Sequence, residues 1–419
     1  MLLLNTQPSK WACVPLLLLA LSMVEAQAQA VRAHTLKEAL DLLEKQGAPW
    51  QSLDAEQAES IAESAGSQAF RNPELSYARE DLSEGDTKAR EWTIGIRKEF
   101  ASPGVYLNRR AARKYRGEAL KNEFARKREE ARGELRQTYL EGVLKQEESG
   151  TLQSLTGLVA AMVKAGQARF EEQAITSFEM FRLSSAQARV RELEAKTRNE
   201  YSVLTRRLAA WLYPEEAGIT DVVPADKPSF QLLVMDSASL VRNLEGRSPD
   251  LKALESRVLE AEAGVRESRY GQFPEFSLSG GWKSQSDGLS GPALEISAPI
   301  PLLNWNAPER ALRNAQAKRA KLAREFAKRS MRDDLELSLE RLKTLEERLR
   351  EYESLHQKHP FASMTSALEA SYAEGRSPAF EVLDGLFGLH ESLIGYHQAL
   401  LDREMLNIHV GILVGGNTP

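Results

Sequence analysis

Cysteine is almost absent from the sequence, since Cys13 is the only one among 419 residues. It lies at the start of an apolar N-terminal run that we expect to be removed, so the mature chain is expected to contain neither disulfide bonds nor thiolate metal sites. Aromatic residues are also few, at 7%, whereas charged residues reach 27%. This balance is typical of long helices rather than of a compact enzyme core.

An excess of positive charge is missing as well. The 55 basic and 60 acidic side chains give a formal net charge of -5, which provides no positive field for holding nucleic acid. The motifs of zinc proteases, phosphate-binding loops and serine hydrolases do not occur in the sequence. We therefore expect no enzyme, no catalytic residues and no cofactor.

Long apolar runs are confined to the N-terminus. Lys10 precedes an apolar run at residues 11–24, and alternating alanines follow it up to Ala30. A basic flank, a short apolar run and small-residue sites predict a signal peptide over residues 1–30, cleaved near Ala28 or Ala30; a buried helix or a membrane anchor is the alternative. No later segment approaches the ~18 apolar residues of a membrane-spanning helix.

One pattern occurs twice in the chain. Asn-Pro-Glu-Leu-Ser-Tyr at residues 72–77 matches Phe-Pro-Glu-Phe-Ser-Leu at residues 273–278, and a long charged helical run follows each match. Several matches in the same order indicate a tandem repeat. We expect the first repeat at residues 31–213, a connecting equatorial segment at 214–247, the second repeat at 248–415 and a tail at 416–419.

Each repeat is predicted to contain a pair of strands. Apolar residues alternate with small or polar ones at residues 75–78, 92–97, 276–283 and 294–302. One apolar face over ~10 residues is typical of a membrane-barrel strand, although a soluble hairpin with one solvated face has the same alternation. Polar loops are expected at residues 81–90 and 284–292.

The rest of the chain predicts long helices. Residues 107–164 and 309–372 have the spacing of coiled-coil helices, and Pro360 is expected to interrupt the second run. Asn306 and Glu309 predict a capping box at its start. The apolar seam expected in this helix consists of Ala311, Ala315, Leu322, Phe326, Leu335, Leu339, Leu342 and Leu349.

Strands that cross a bilayer must close into a barrel. Four strands are too few, because the smallest barrels have about eight, but three chains would supply 12. The predicted fold class is therefore mainly α with a small β part. It consists of two tandem repeats of a long coiled-coil helical hairpin plus a β-strand pair, assembled as a trimeric α-barrel continuous with a shared 12-strand membrane β-barrel.

These residues resemble those of a known family. The motifs at 72–75, 273–276 and 300–304, together with Tyr-Ala-Glu-Gly at 372–375 and Glu-Val-Leu-Asp at 381–384, are similar to those of TolC-like outer membrane efflux proteins. The resemblance covers the whole mature chain. Among the members of this family, the chain is most similar to CzcC-like heavy-metal efflux channels, in its compact length and in its Pro-Ile-Pro-Leu-Leu-Asn stretch.

The resemblance implies a passive channel in the outer membrane with a large periplasmic portion. It implies a homotrimer in contact with outer membrane lipid, a periplasmic adaptor (membrane fusion) protein and an inner membrane pump of the RND type. Heavy-metal cations are the expected substrate. The alternatives are the channel of a drug-efflux or type I secretion system, a periplasmic coiled-coil adaptor or scaffold that does not cross the membrane, and an envelope enzyme with a helical arm.

The resemblance also implies functional residues. Gly166 and Gly375, with Arg376 beside the second, are expected at the tips of the helical hairpins, where the adaptor binds. Arg376 either pairs with a carboxylate at the entrance or lies on the surface. The first repeat departs from the family pattern, because residues 164–167 lack the usual aromatic side chain.

An acidic ring at the periplasmic entrance is implied in the same way, and it would contain Glu381, Asp384 and Glu172. Glu381 and Asp384 stand three residues apart and so share one side of a helix, and a ring of carboxylates attracts cations. A solvated helical face is the alternative.

Four histidines stand in two pairs, His356 with His359 and His390 with His397. Imidazole is a common metal ligand, but two ligands without a third make a weak zinc site. We therefore expect packing and solvation rather than a metal site.

Overall fold

The computed structural model describes residues 30–66, 72–84, 87–216, 218–227, 236–271, 275–299 and 305–415. Residues 1–29 of the expected signal peptide, the motif at 300–304 and the tail at 416–419 lie outside the described residues.

Helices dominate the described part of the chain, which forms nine of them: α1 (Leu36–Gln46), α2 (Ala48–Gly66), α3 (Pro103–Glu171), α4 (Ser177–Leu212), α5 (Ser237–Arg247), α6 (Pro249–Tyr270), α7 (Ala307–Lys358), α8 (Phe361–Ala373) and α9 (Ala379–Val414). The described strands are β1 (Ala30–His34), β2 (Glu74–Glu84), β3 (Thr87–Phe100), β4 (Ile219–Pro224), β5 (Phe276–Gln285) and β6 (Ser290–Ser297). The 69 residues of α3 correspond to about 100 Å of helix. The predicted mainly helical fold with a small β part is confirmed.

Local residue choices explain where several helices begin and end. Thr35 and Thr176 each accept the N–H of a glutamate three residues later, so α1 and α4 begin with capping boxes. Pro360 separates α7 from α8, which confirms the predicted interruption, because proline removes an N–H and its ring clashes with the preceding turn.

The capping box predicted at Asn306 and Glu309 does not form. Asn306 has a φ of 60° and makes no side-chain cap. Its amide nitrogen instead donates to the carbonyl oxygen of Ser268 at 2.9 Å, and Glu309 pairs with Arg313 at 2.7 Å. The cap is lost because Asn306 ties the start of α7 to the end of α6.

The four predicted strands form one antiparallel sheet in the order β2-β3-β5-β6. The polar loops expected at residues 81–90 and 284–292 are shorter than predicted, because β2 continues to Glu84 and β3 begins at Thr87. Arg90 pairs with Asp81 at 2.8 Å across this extension. Cross-strand ion pairs therefore continue the ladder beyond the region of apolar alternation.

A small parallel sheet, which the sequence did not predict, pairs β1 with β4. Beside it, the buried hydroxyl of Tyr139 contacts the carbonyl oxygen of His34 at 2.8 Å and the carboxylate of Asp226, and accepts the N–H of Ala225 at 3.1 Å. The connecting segment is thereby fixed against α3.

The apolar seam predicted along α7 is only partly buried. Leu335, Leu342 and Leu349 are buried, as their spacing of seven residues predicts. Leu322 and Phe326 are instead 60% and 74% exposed in the single chain. The first half of the predicted seam therefore has no covering partner among the described residues of a single chain.

None of the described helices combines the length and the apolar character that crossing a bilayer requires.

Candidate functional site

Each of the two long helical hairpins has a turn of the same type at its tip. Gln173 lies between α3 and α4 with a φ of 59°, and Gly375 lies between α8 and α9 with a φ of 70°. Each donates its N–H to the carbonyl three residues earlier, and the next residue donates to the carbonyl five residues earlier. This pattern is the Schellman motif, which ends a helix with one left-handed residue.

The two tips are packed together by one apolar cluster. Tyr372 at the end of α8 is buried against residues of α3, α4 and α9, and its hydroxyl donates to the carbonyl oxygen of Met162 at 3.3 Å. Arg169 of α3 donates to the carbonyl oxygens of Tyr372 and Ala373 at 3.3 and 3.5 Å and lies over the Tyr372 ring. One arginine therefore satisfies the end of α8 and joins the two hairpins.

Glu381 and Asp384 are both exposed near the start of α9. The residues between and beyond them, Val382, Leu383 and Leu386, are buried in the tip cluster. Neither carboxylate has an ion-pair partner within the described residues. The first turns of α9 thus present two carboxylates on one exposed face beside the second tip.

The antiparallel sheet has one apolar and one polar face. The exposed apolar side chains occur in cross-strand rows on one face: Leu75, Tyr77, Ile94, Ile96, Trp282, Leu294 and Ile296. On the opposite face Glu91 pairs with Lys283, and Arg97 lies 3.8 Å from Glu295. An exposed apolar face of this kind is typical of contact with lipid.

Comparisons agree with this geometry. The family model described as outer membrane efflux protein matches residues 240–385, which include β5, β6 and the second tip. No curated relative matches the sequence. Over these residues the chain is similar to the outer membrane efflux protein family, to which TolC-like channels belong. Members of this family are outer membrane channels with a large periplasmic helical part, and they are not enzymes.

Several solved structures share the fold of this chain at low sequence identity. The CusC structure, described in terms of folding and transmembrane channel formation, has a TM-score of 0.74 at 15% identity and covers 91% of this chain and 92% of its own. The CmeC outer membrane channel of Campylobacter jejuni has a TM-score of 0.76 at 12% identity, covering 91% and 85%. The MtrE outer membrane channel of Neisseria gonorrhoeae has a TM-score of 0.71 at 14% identity, covering 91% and 89%.

Gly166, predicted at the first tip, does not lie in the turn. Gly166 is inside α3, five residues before that helix ends at Glu171, and the turn occurs at Gln173. A Cβ at Gly166 would lie 2.4 Å from Cδ1 of Leu183. The glycine therefore allows α3 and α4 to approach closely, and the prediction that it forms the turn is wrong.

Glu172, predicted as the acidic residue of the first repeat, also occupies a different position from Glu381. Glu172 is the C-cap of α3, the same position that Glu374 has at the end of α8. Glu179 is the residue in the third position of α4, as Glu381 is in α9, but its side chain accepts the N–H of Thr176. Glu172 is therefore not the counterpart of Glu381.

A signal for the true tip was present in the sequence. Ser-Phe-Glu at residues 177–179 corresponds to Ala-Phe-Glu at residues 379–381, and Phe170 corresponds to Tyr372, all with the same offset. The search for a glycine obscured it, because the turn uses Gln173 in the first repeat. Arg376 pairs with Glu374 across the second tip, both side chains being largely exposed.

Large aromatic side chains are exposed around the tips. Phe178 and Phe181 on α4 are 65% and 66% exposed, and Phe380 on α9 is 50% exposed. The guanidinium group of Arg182 lies 5.7 Å from the Phe178 ring and 5.9 Å from the Phe380 ring. These three rings form an exposed apolar surface, called here the aromatic collar, near the carboxylates of Glu381 and Asp384.

The histidines lie in different environments. His390 and His397 are buried in α9, whereas His359 is exposed in the connection before α8. Burial lowers the pKa of His390 and lowers the pKa of His397 to about 4. Within the described residues no group of three acidic, histidine or cysteine side chains has the arrangement of a metal site.

Proposed function

We propose that this chain is an outer membrane efflux channel and forms a homotrimer with a shared 12-strand β-barrel and a periplasmic α-barrel. The apolar face of its sheet is suited to lipid, and four strands per chain require further copies for closure. The exposed Leu322 and Phe326 on α7 are suited to burial by a second copy. The match to solved channels over most of the chain supports the same assembly.

We also propose repeats at residues 31–213 and 248–415, with residues 214–247 as the connecting equatorial segment. The two tip turns are separated along the chain by about the same number of residues as the two matched strand motifs, which supports this division. The pairing of β4 with β1 supports an equatorial position for the connecting segment.

The channel is proposed to work in a tripartite system with a periplasmic adaptor protein and an inner membrane RND pump. The tips that contain Gln173 and Gly375 are the proposed contact of the adaptor, and the aromatic collar beside them supplies apolar area for it. Arg376 belongs to this contact surface.

Heavy-metal cations are the proposed substrate, conducted passively from the periplasm to the exterior. The observation that carries this proposal is the exposed pair Glu381 and Asp384, which has no ion-pair partner within the described residues. Three copies around one axis would place six carboxylates at the entrance, and such rings favour cations. A drug-efflux or secretion channel is the second candidate, which the exposed Phe178, Phe181 and Phe380 favour.

Two measurements test the proposal. Deletion of the gene should increase sensitivity to divalent heavy-metal ions more than to apolar drugs, and the cloned gene should restore resistance. Purified full-length protein should give cation-selective conductance in a planar bilayer. Greater sensitivity to drugs would favour the second candidate, and recovery of the protein from the periplasm without detergent would refute the channel.

A further inference from the structure

A second polar site lies where the sheet meets the helices, far along the chain from the tips. A cavity of 1420 Å³ is bounded by the end of β3, the first turns of α3, the middle of α6 and the start of α7. Helix α6 contacts both α3 and α7, so the three helices form a continuous wall beneath the strands. This cavity is separate from the carboxylate pair of the proposed entrance.

The lining of the cavity is basic. Seven lysine or arginine side chains and four glutamates contribute to it. Arg109 lies 2.7 Å from Glu267 and 3.4 Å from Glu275, and Arg116 lies 2.8 Å from Glu260. Three of the four acidic side chains are thus already engaged by two of the arginines.

The remaining arginines divide into two groups. Arg257 pairs with Glu123 and Arg313 pairs with Glu309, both outside the lining. Arg113 of α3 and Arg319 of α7 have no carboxylate partner within the described residues.

Arg113 has a further property that points to a ligand. Its Nε atom is buried and has no hydrogen-bond acceptor among the described residues. A buried donor without an acceptor is unfavourable, and more so when the group is charged. An anion in the cavity would supply the missing acceptor.

We propose that this junction cavity binds an anion of the phosphate class through Arg113 and Arg319. The planar guanidinium group matches the oxygens of a phosphate and can donate two parallel hydrogen bonds to it. Phe100, stacked on Phe276 with 5.2 Å between ring centroids, and Leu254 add an apolar wall. The phosphate group can belong to free inorganic phosphate or to the headgroup of an anionic phospholipid at the lower end of the sheet.

The test for free phosphate uses the full-length chain purified in an uncharged detergent. Calorimetric titration with inorganic phosphate should give saturable binding, at least about fivefold weaker in Arg319→Gln and lost in the Arg113→Gln, Arg319→Gln double variant. Because Arg319 is exposed, its single variant reports on binding even if Arg113→Gln impairs folding. Arg329→Gln, an exposed arginine on the same helix α7 outside the cavity, is the matched control and should bind as the unchanged protein does.

The second arm identifies a headgroup. Native mass spectrometry after exchange into bicelles should show retained phosphatidylglycerol, but not phosphatidylcholine, in the unchanged protein and in Arg329→Gln, with retention lost in Arg319→Gln. Binding in either arm with loss in Arg319→Gln supports the site and names the source. Absence of binding in both arms, or equal loss in Arg329→Gln, overturns it. Neither arm depends on conductance or on a pump, so the outcome is independent of the proposed transport.

Discussion

Gln173 and Gly375 occupy the same position in two helical turns that are 202 residues apart in the chain, and both have a positive φ. The surrounding hydrogen bonds have the same pattern, from Glu172 and Glu374 at the C-caps to Ala174 and Arg376 after the turn. Glycine adopts this conformation without a Cβ clash, whereas glutamine pays roughly 1–2 kcal/mol. The two turns therefore have the same backbone geometry, but only the first contains a residue for which this conformation is unfavourable.

This difference gives a first prediction. Gln173→Gly should raise the free energy of unfolding by about 1 kcal/mol, and Gly375→Gln should lower it by a similar amount. The thermal midpoint of the purified protein, followed by circular dichroism, measures both. Gln167→Gly is the matched control, because Gln167 is exposed inside α3, where glycine costs about 1 kcal/mol. Destabilisation by Gln173→Gly would contradict the turn geometry.

The packing of Gly166 against Leu183 gives a second prediction. Because Leu183 is fully buried, Gly166→Val should lower the free energy of unfolding by about 1–3 kcal/mol through overpacking. Leu183→Ala in the same chain should recover part of that loss, so the two effects should not add. The measurement is a double-mutant cycle of urea unfolding.

Gly157→Ala is the control for this cycle. Gly157 lies in the same helix with open space where a Cβ would be, so alanine there should stabilise the protein by roughly 0.5–1 kcal/mol. Equal effects of Gly166→Val and Gly157→Ala would show that α3 and α4 do not approach closely at Gly166.

The buried imidazole of His397 predicts a pH dependence. Burial lowers its pKa to about 4, below its unfolded value of about 6.5. Between these values the unfolded chain binds the proton and the folded chain does not, so stability falls as the pH falls, by about 3 kcal/mol in total. Glu148 favours protonation of His397, whereas Lys227 and Lys145 oppose it. Glu147, at 3.4 Å from His397, also pairs with Lys227.

Urea unfolding at several pH values between about 4 and 7 measures this loss. His397→Gln should reduce the slope, with contributions remaining from His390 and His356, whose pKa values are also lowered by burial. His359→Gln, at an exposed position between α7 and α8, should leave the slope unchanged. A slope that is the same in His397→Gln and in the unchanged protein would refute the prediction.

The sequence predicted the features whose causes are local. Pro360 interrupts a helix because of its own ring, and Gly375 occupies a turn that requires a positive φ. Alternation predicted the sheet, since the period of two is a property of the strand itself. Gln173 was missed because the turn imposes its conformation on a residue that does not favour it.

The errors concern features that depend on distant parts of the chain. Leu322 and Phe326 have the spacing of a seam, but spacing does not reveal whether the partner helix belongs to the same chain. The pairing of β1 with β4 brings together segments that are almost two hundred residues apart, and neither segment is long enough to give a distinctive pattern.

The exposed pair Glu381 and Asp384 gives the last prediction. Replacing both by Gln and Asn removes six charges from a trimer, and we expect the cation-to-anion permeability ratio to fall about threefold or more. The free energy of unfolding should fall by no more than about 1 kcal/mol, because both side chains are exposed without an ion-pair partner within the described residues and only Glu381 lies in the first turn of α9. The reversal potential in a salt gradient across a planar bilayer measures the ratio.

A control variant with the same change of charge separates the local effect of Glu381 and Asp384 on selectivity from the electrostatic field of all the charges at the tip. Glu172→Gln with Glu369→Gln removes two exposed carboxylates from the C-cap of α3 and from α8. If Glu381 and Asp384 line the entrance, this control should shift the reversal potential much less, because screening in salt limits the reach of exposed charges to about 10 Å. Equal shifts in the two double variants would mean that the whole tip contributes a diffuse field, and that the pair on α9 has no special place in selecting cations.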